Sequence, residues 1–153
     1  MDRFKKVLFP VDLSDVSPKM VPFVMSVANM WKAEVHVLFV VSVLEHFTSM
    51  YVPEMSISKL EQEMVLGSER KLEEFVQEHF PDNRVTKASV IVGDPAEEIV
   101  KYVNEEKMDL IVIGTHGRKG LEKVFFGSVA ERVIKTSPVP VLSINPWRKR
   151  ADL

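Results

Sequence analysis

Gly114, Gly117, Gly120 and Gly127 lie in one short stretch, and Ser128 follows the last of them. The chain has only 6 glycines, so their gathering here needs a reason. Glycine between folded elements answers to a positive φ or to a close backbone approach. The stretch leaves an apolar run, Leu110-Ile111-Val112-Ile113, and enters a helix-like segment at Ser128. Free main-chain N–H groups in such a loop, with a helix N-terminus behind them, suit the oxygens of a phosphate. The helix dipole alone gives an anion about 0.3–1 kcal/mol, and about 2 kcal/mol when partly buried. Micromolar binding takes about 8 kcal/mol, so amide hydrogen bonds and burial of an attached group must supply the rest.

Other reactive side chains are few. Asp12 follows the first apolar run and is placed to meet a ligand or to cap its own turn. His116 and Arg118 stand inside the glycine stretch, as phosphate ligands or as solvated loop residues. Ser128 with Glu131 also spells an S-x-x-E capping box, and Gly117 and Gly120 also read as turn glycines. His36, His46 and His79 are scattered, with no ligand-like spacing, so no dedicated metal site is expected. The Walker and dinucleotide glycine patterns are both absent. No catalytic residue is assigned. Slow hydrolysis, with Asp12 polarising a water, is the enzymatic alternative.

The elements that must position these residues alternate. Lys5–Val11 reads as a first strand and Glu34–Val41 as a second, with consecutive apolar residues as in a sheet covered on both faces. Between them Val21, Val24, Met25, Ala28 and Trp31 recur at helical spacing. Ser17 before Pro18 suits an N-cap, with Ser14 or Asp15 one turn earlier. Residues 42–56 show no period and read as a surface excursion, or as a lid or partner-binding flap. Lys59–Phe80 is a long helix, weakened at Gly67. Thr86–Val92 alternates and belongs at a sheet edge. Asp94-Pro95-Ala96-Glu97 opens a third helix with a capping-box-like pattern. Asp109–Ile113 is the most apolar strand and is expected at the centre. Ser128–Thr136 is the last helix. Val139–Ile144 is a fifth strand, which Pro140 confines to an edge or a strand start.

This order predicts an α/β fold, a single-domain three-layer sandwich around a five-stranded parallel sheet. Ligands of such sheets sit beyond the carboxyl ends of the strands, where the strand order reverses. If the first and fourth strands are neighbours, Asp12 and the glycine loop share one crevice. With 153 residues the chain fits one domain, taken as 1–146 with a tail from 147 to 153 carrying an exposed-looking Trp147. Net charge is −2, unlike the basic surface of a general nucleic-acid binder. No apolar run reaches the length of a membrane span. The basic N-terminus runs into a short, interrupted apolar segment, a strand and not a signal peptide. The lack of cysteine excludes disulfides and fits a reducing compartment, with the cytoplasm the expected location.

The spacing Gly114-x2-Gly117-x9-Gly127-Ser128 resembles the nucleotide-binding pattern of the universal stress protein family. The resemblance runs from Lys5 to about Ile144. It includes Pro10-x-Asp12, Val92-Gly93-Asp94-Pro95 and Ser137-Pro138-Val139-Pro140-Val141. It implies a Rossmann-like fold of the adenine nucleotide alpha hydrolase type. By the same resemblance Asp12 and the backbone near Val40 contact adenine, with Pro10 close by. Ile113 and Gly114 approach ribose, and Gly117, Gly127, Ser128 and Val129 hold the phosphates. The ligand implied is ATP, with Mg²⁺ carried on the phosphates. The function implied is a nucleotide-dependent stress or signalling switch. A homodimer through the fifth strand is implied as well, with a protein partner of unknown kind. A module of the same fold that no longer binds nucleotide is the alternative.

Overall fold

The computed structural model describes residues 4–42, 54–116 and 127–147. Among these residues five strands and four helices alternate: β1 (Lys6–Val11), α1 (Ser17–Trp31), β2 (Glu34–Val41), α2 (Glu54–His79), β3 (Val85–Val92), α3 (Pro95–Glu106), β4 (Leu110–Gly114), α4 (Ser128–Thr136) and β5 (Val141–Ile144). All strands are parallel, in the order β3-β2-β1-β4-β5. The strand order therefore reverses between β1 and β4. The most apolar strand, β4, lies inside the sheet as its composition requires, but β1 and not β4 is the middle strand.

Strand periodicity splits the core in two. Val7, Phe9 and Val11 of β1, with Val35, Val37, Leu110 and Val112, pack under α1 and α2. Leu8, Leu38, Ile111 and Ile113 turn to the other face and pack under α3 and α4. Alternate residues of one strand thus serve opposite layers, which is why these strands read as continuous apolar runs. Helix α1 buries Met20, Val21, Val24 and Ala28. Helix α3 buries Ala96, Ile99, Tyr102 and Val103, and α4 buries Ala130 and Val133.

Several expected boundaries move. Helix α2 begins at Glu54, inside the segment expected to be irregular, and residues 43–53 lie outside the described residues. Helix α1 does not use Ser17 as an N-cap. Val16 occupies that place with a helical backbone and no side-chain cap bond, and Ser17 is turned inward at 3 % exposure. Asp94 does cap α3, accepting from the Glu97 N–H at 3.0 Å, with Pro95 next. Glu97 then faces Arg132 of α4, 4.0 Å away. Both edge assignments hold: β3 and β5 are the outer strands, and Pro140 directly precedes β5.

Candidate functional site

The β1–β2 ladder pairs six positions, Lys6 through Val11. The β1–β4 ladder pairs only Val7 with Leu110 and Leu8 with Ile111. Pro10 has no N–H to extend it. The carboxyl-terminal halves of β1 and β4 are thus free of one another, and this is the switch point where doubly wound sheets hold ligands. Asp12 leaves β1 on one side of it. Gly114, Thr115 and His116 leave β4 on the other.

Asp12 is exposed, and its Oδ1 accepts three hydrogen bonds. They come from the Ser14 N–H at 3.0 Å, Ser14 Oγ at 2.6 Å and Ser17 Oγ at 3.0 Å. Among the described residues no hydrogen bond goes to its Oδ2. Leu13 between them has φ 57°, a left-handed conformation that is uncommon for a branched side chain. The turn-capping role expected of Asp12 is therefore real, but it occupies one oxygen and leaves the other open.

Thr115 ties the opposite wall together. Its N–H donates to the Ile144 carbonyl at 2.9 Å, which joins the ends of β4 and β5. Its own carbonyl accepts the Gly127 N–H, which docks the start of α4. Its Oγ1 lies 2.8 Å from His116 Nδ1 and 3.3 Å from the Ile144 carbonyl. Thr115 is 8 % exposed. Sequence patterns do not single it out, and its one signal is a hydroxyl directly after the strand-ending Gly114.

Gly127 is the N-cap of α4, with φ −51°, so no positive φ demands a glycine there. The demand is proximity: a Cβ would stand 3.3 Å from the Thr115 carbonyl oxygen. Because the Gly127 N–H is taken by that carbonyl, it is not a free donor. The N–H groups of Ser128, Val129 and Ala130 take no acceptor among the described residues, as expected of a first helical turn. The S-x-x-E capping box is not formed. Ser128 is already helical and exposed, and the Glu131 carboxylate pairs with Lys135 at 2.8 Å.

The remaining candidates fall as follows. Pro10 is half-buried and stands level with Leu38 of β2. Val40 is half-buried near the carboxyl end of β2. Ile113 is buried in the α3–α4 core. Gly114 is close to Met20, whose Sδ a Cβ would meet at 3.4 Å. Gly117 and Arg118 lie outside the described residues. Trp147 is not the exposed tail residue expected. It is half-buried, with Lys19 Nζ 3.8 Å from its ring centre, so the chain after β5 returns to the first turns of α1.

A second group of ionisable residues lies towards the amino ends of the strands. His36 is buried in β2, with Nδ1 2.9 Å from Tyr102 Oη of α3. Burial lowers its pKa, and Lys6 adds to the shift. Burial also raises the Tyr102 phenol. Lys87 and Glu106 bond at 2.6 Å, which raises the lysine and lowers the carboxylate. Among the described residues no cluster of metal-binding side chains occurs, and no helix is long and apolar enough to cross a membrane.

Comparison with known proteins agrees with this architecture. The model of the universal stress protein family matches residues 3–145. Universal stress protein MJ0531 of Methanocaldococcus jannaschii is 35% identical over 148 residues, covering 95% of this chain and 85% of its own. The solved structure of MJ0577, from the same organism, superposes with a TM-score of 0.82 at 31% identity, covering 98% of this chain and 100% of that one. A universal stress protein from Archaeoglobus fulgidus, solved in complex with dAMP, superposes with a TM-score of 0.64 at 20% identity, over 94% of this chain and 100% of its own. That last likeness concerns the fold alone.

Proposed function

The chain belongs to the universal stress protein family, and from that premise we propose that it binds ATP in the crevice between β1 and β4. The observation that carries this reading is the first turn of α4. Its amides at Ser128, Val129 and Ala130 take no acceptor among the described residues, and Thr115 fixes the turn against the end of β4. Amides fixed in this way bind an anion without first being ordered, which lowers the entropic cost of binding. Asp12, on the opposite wall, contributes an acceptor for the amino or hydroxyl groups of a nucleoside. The base and sugar lie along Pro10, Val40, Ile113 and Gly114. Gly127 brings the chain close to Thr115, and Gly117, Ser128 and Val129 surround the phosphates. Mg²⁺ fits this scheme as a companion of the phosphate oxygens, since no cluster of three or more metal-binding side chains occurs among the described residues.

The biochemical role that follows is a switch, in which nucleotide occupancy changes the affinity for a partner. Among the described residues no carboxylate accepts from the first turn of α4, and binding, not turnover, is the proposed activity. Titration calorimetry with MgATP tests it. Saturable one-site binding that weakens on Asp12→Ala is the expected result. Heat indistinguishable from dilution at millimolar MgATP refutes the reading.

A further inference from the structure

We propose that Ser17 is the positioning residue of the crevice. From inside the protein it holds the Asp12 carboxylate in one orientation, so that a single oxygen, Oδ2, is presented to a ligand. The proposal rests on the nucleotide reading for its consequence, but on the local geometry for its existence.

Ser17 is 3 % exposed, on a helix whose neighbouring Met20 and Val21 are core residues. A buried hydroxyl left without a partner is costly, because its lost hydration is not replaced. Among the described residues the only hydrogen bond of the Ser17 hydroxyl goes to Asp12 Oδ1, at 3.0 Å. It does not cap α1, where Val16 is the N-cap without a side-chain bond. The Ser17 N–H is separately satisfied by the Ser14 carbonyl at 3.1 Å. What remains for the hydroxyl is to fix a carboxylate five residues upstream.

The turn between the two supports this. Ser14 donates to the same oxygen through its N–H and its Oγ. Ser14 Oγ in turn accepts from the Val16 N–H at 3.3 Å. Leu13 sits left-handed within the turn, a strained conformation that persists only where surrounding bonds over-determine it. Oδ1 is thereby saturated by donors of the protein itself. Oδ2 can only accept, so the crevice takes an N–H or O–H at this point and repels a carbonyl or a phosphate. The anionic end of a ligand is thus directed away from Asp12 and towards the amides of α4, which fixes the direction in which an elongated ligand lies.

The test is a double-mutant cycle read by MgATP calorimetry on the full chain, with Ser17→Ala, Asp12→Ala and the pair. Losing one hydrogen bond of about 1 kcal/mol corresponds to about a fivefold loss of affinity. We expect that loss for Ser17→Ala, and less than a twofold further effect of Ser17→Ala once Asp12 is alanine. A merely structural role leaves the loss undiminished in the Asp12→Ala background, and that result overturns the proposal, as does wild-type affinity in Ser17→Ala. A second measurement needs no nucleotide: the three-bond couplings about Asp12 χ1 in the ligand-free protein. One rotamer in the wild type and averaging in Ser17→Ala support the clamp, and identical couplings in both overturn it. Wild-type protein that fails to bind MgATP refutes the nucleotide reading, and the couplings then decide the clamp alone.

Discussion

Gly127 and His36 show how differently two single residues are constrained. At Gly127 the backbone angles are open to any residue, and the restriction is the Thr115 carbonyl oxygen, 3.3 Å from where a Cβ would stand. Gly127→Ala therefore shifts the start of α4 by a few tenths of an ångström, and a branched side chain shifts it further. We expect Gly127→Ala to lower MgATP affinity more than it lowers the urea midpoint, and Gly127→Val to lower both. Calorimetry and urea unfolding of the two variants check this. At His36 the constraint is charge. Lys6, Glu34, Lys87 and Glu106 surround it from β1, β2, β3 and α3, and burial is the dominant influence, holding its pKa below the ordinary 6.5. Between the lowered folded value and 6.5 the unfolded chain binds a proton that the folded chain refuses. Stability therefore rises with pH through that window and is fully present above 6.5. Urea unfolding at steps from pH 5 to 8 should show this rise, and His36→Gln should flatten it. An equal slope in both proteins contradicts the assignment.

Among the elements, α3 has the most complete ends. Asp94 caps it and pairs with Arg132 of α4 at 2.8 Å, so one carboxylate starts α3 and fastens it to its neighbour. The Arg132 bond is the larger cause of the lowered Asp94 pKa, followed by the Glu97 N–H. Asp94→Ala is expected to destabilise the fold by about 1 kcal/mol through the lost cap. Asp94→Asn, which keeps a capping oxygen but loses the charge, should be milder. The other end of α3 closes on Lys107, left-handed at φ 52° without being glycine. Lys107→Gly relieves that strain and gives back part of the gain as chain entropy. We expect a net stabilisation of about 0.5 kcal/mol, measured by chemical denaturation.

For the whole molecule, the open question is the outer edge of β5. Among the described residues the strand pairs with β4 on one side only, and Leu142 is 39 % exposed on it. Unpaired edges with apolar side chains favour pairing with another chain, and a two-fold axis satisfies both copies at once. We expect a homodimer through β5 in sedimentation equilibrium, and a monomer for Leu142→Lys. A wild-type monomer at micromolar concentration rules the dimer out. Such a pairing also gives the crevice a route to a partner. Thr115 joins the end of β5 to the start of α4, so a ligand that shifts α4 acts on the strand at the expected interface.

The alternation of apolar runs and capped helices was enough to fix the layers, the parallel sheet and both edge strands. Each of those follows from local patterns: period in the strands, Asp94-Pro95 at a helix start, Pro140 before a terminal strand. The glycine spacing and Asp12 stood out as candidates for the same reason, since backbone freedom and side-chain type are properties of single positions. Three matters were settled only by the folded chain. The Gly127 amide belongs to Thr115, Ser17 turns inward to Asp12 instead of capping its helix, and Trp147 folds back onto Lys19. In the first and last of these, partners far apart in sequence meet only once the sheet is ordered. In the second, a nearby pair is turned by the packing of α1 against the core. A hydroxyl or an amide has several local partners open to it, and tertiary packing decides which it keeps.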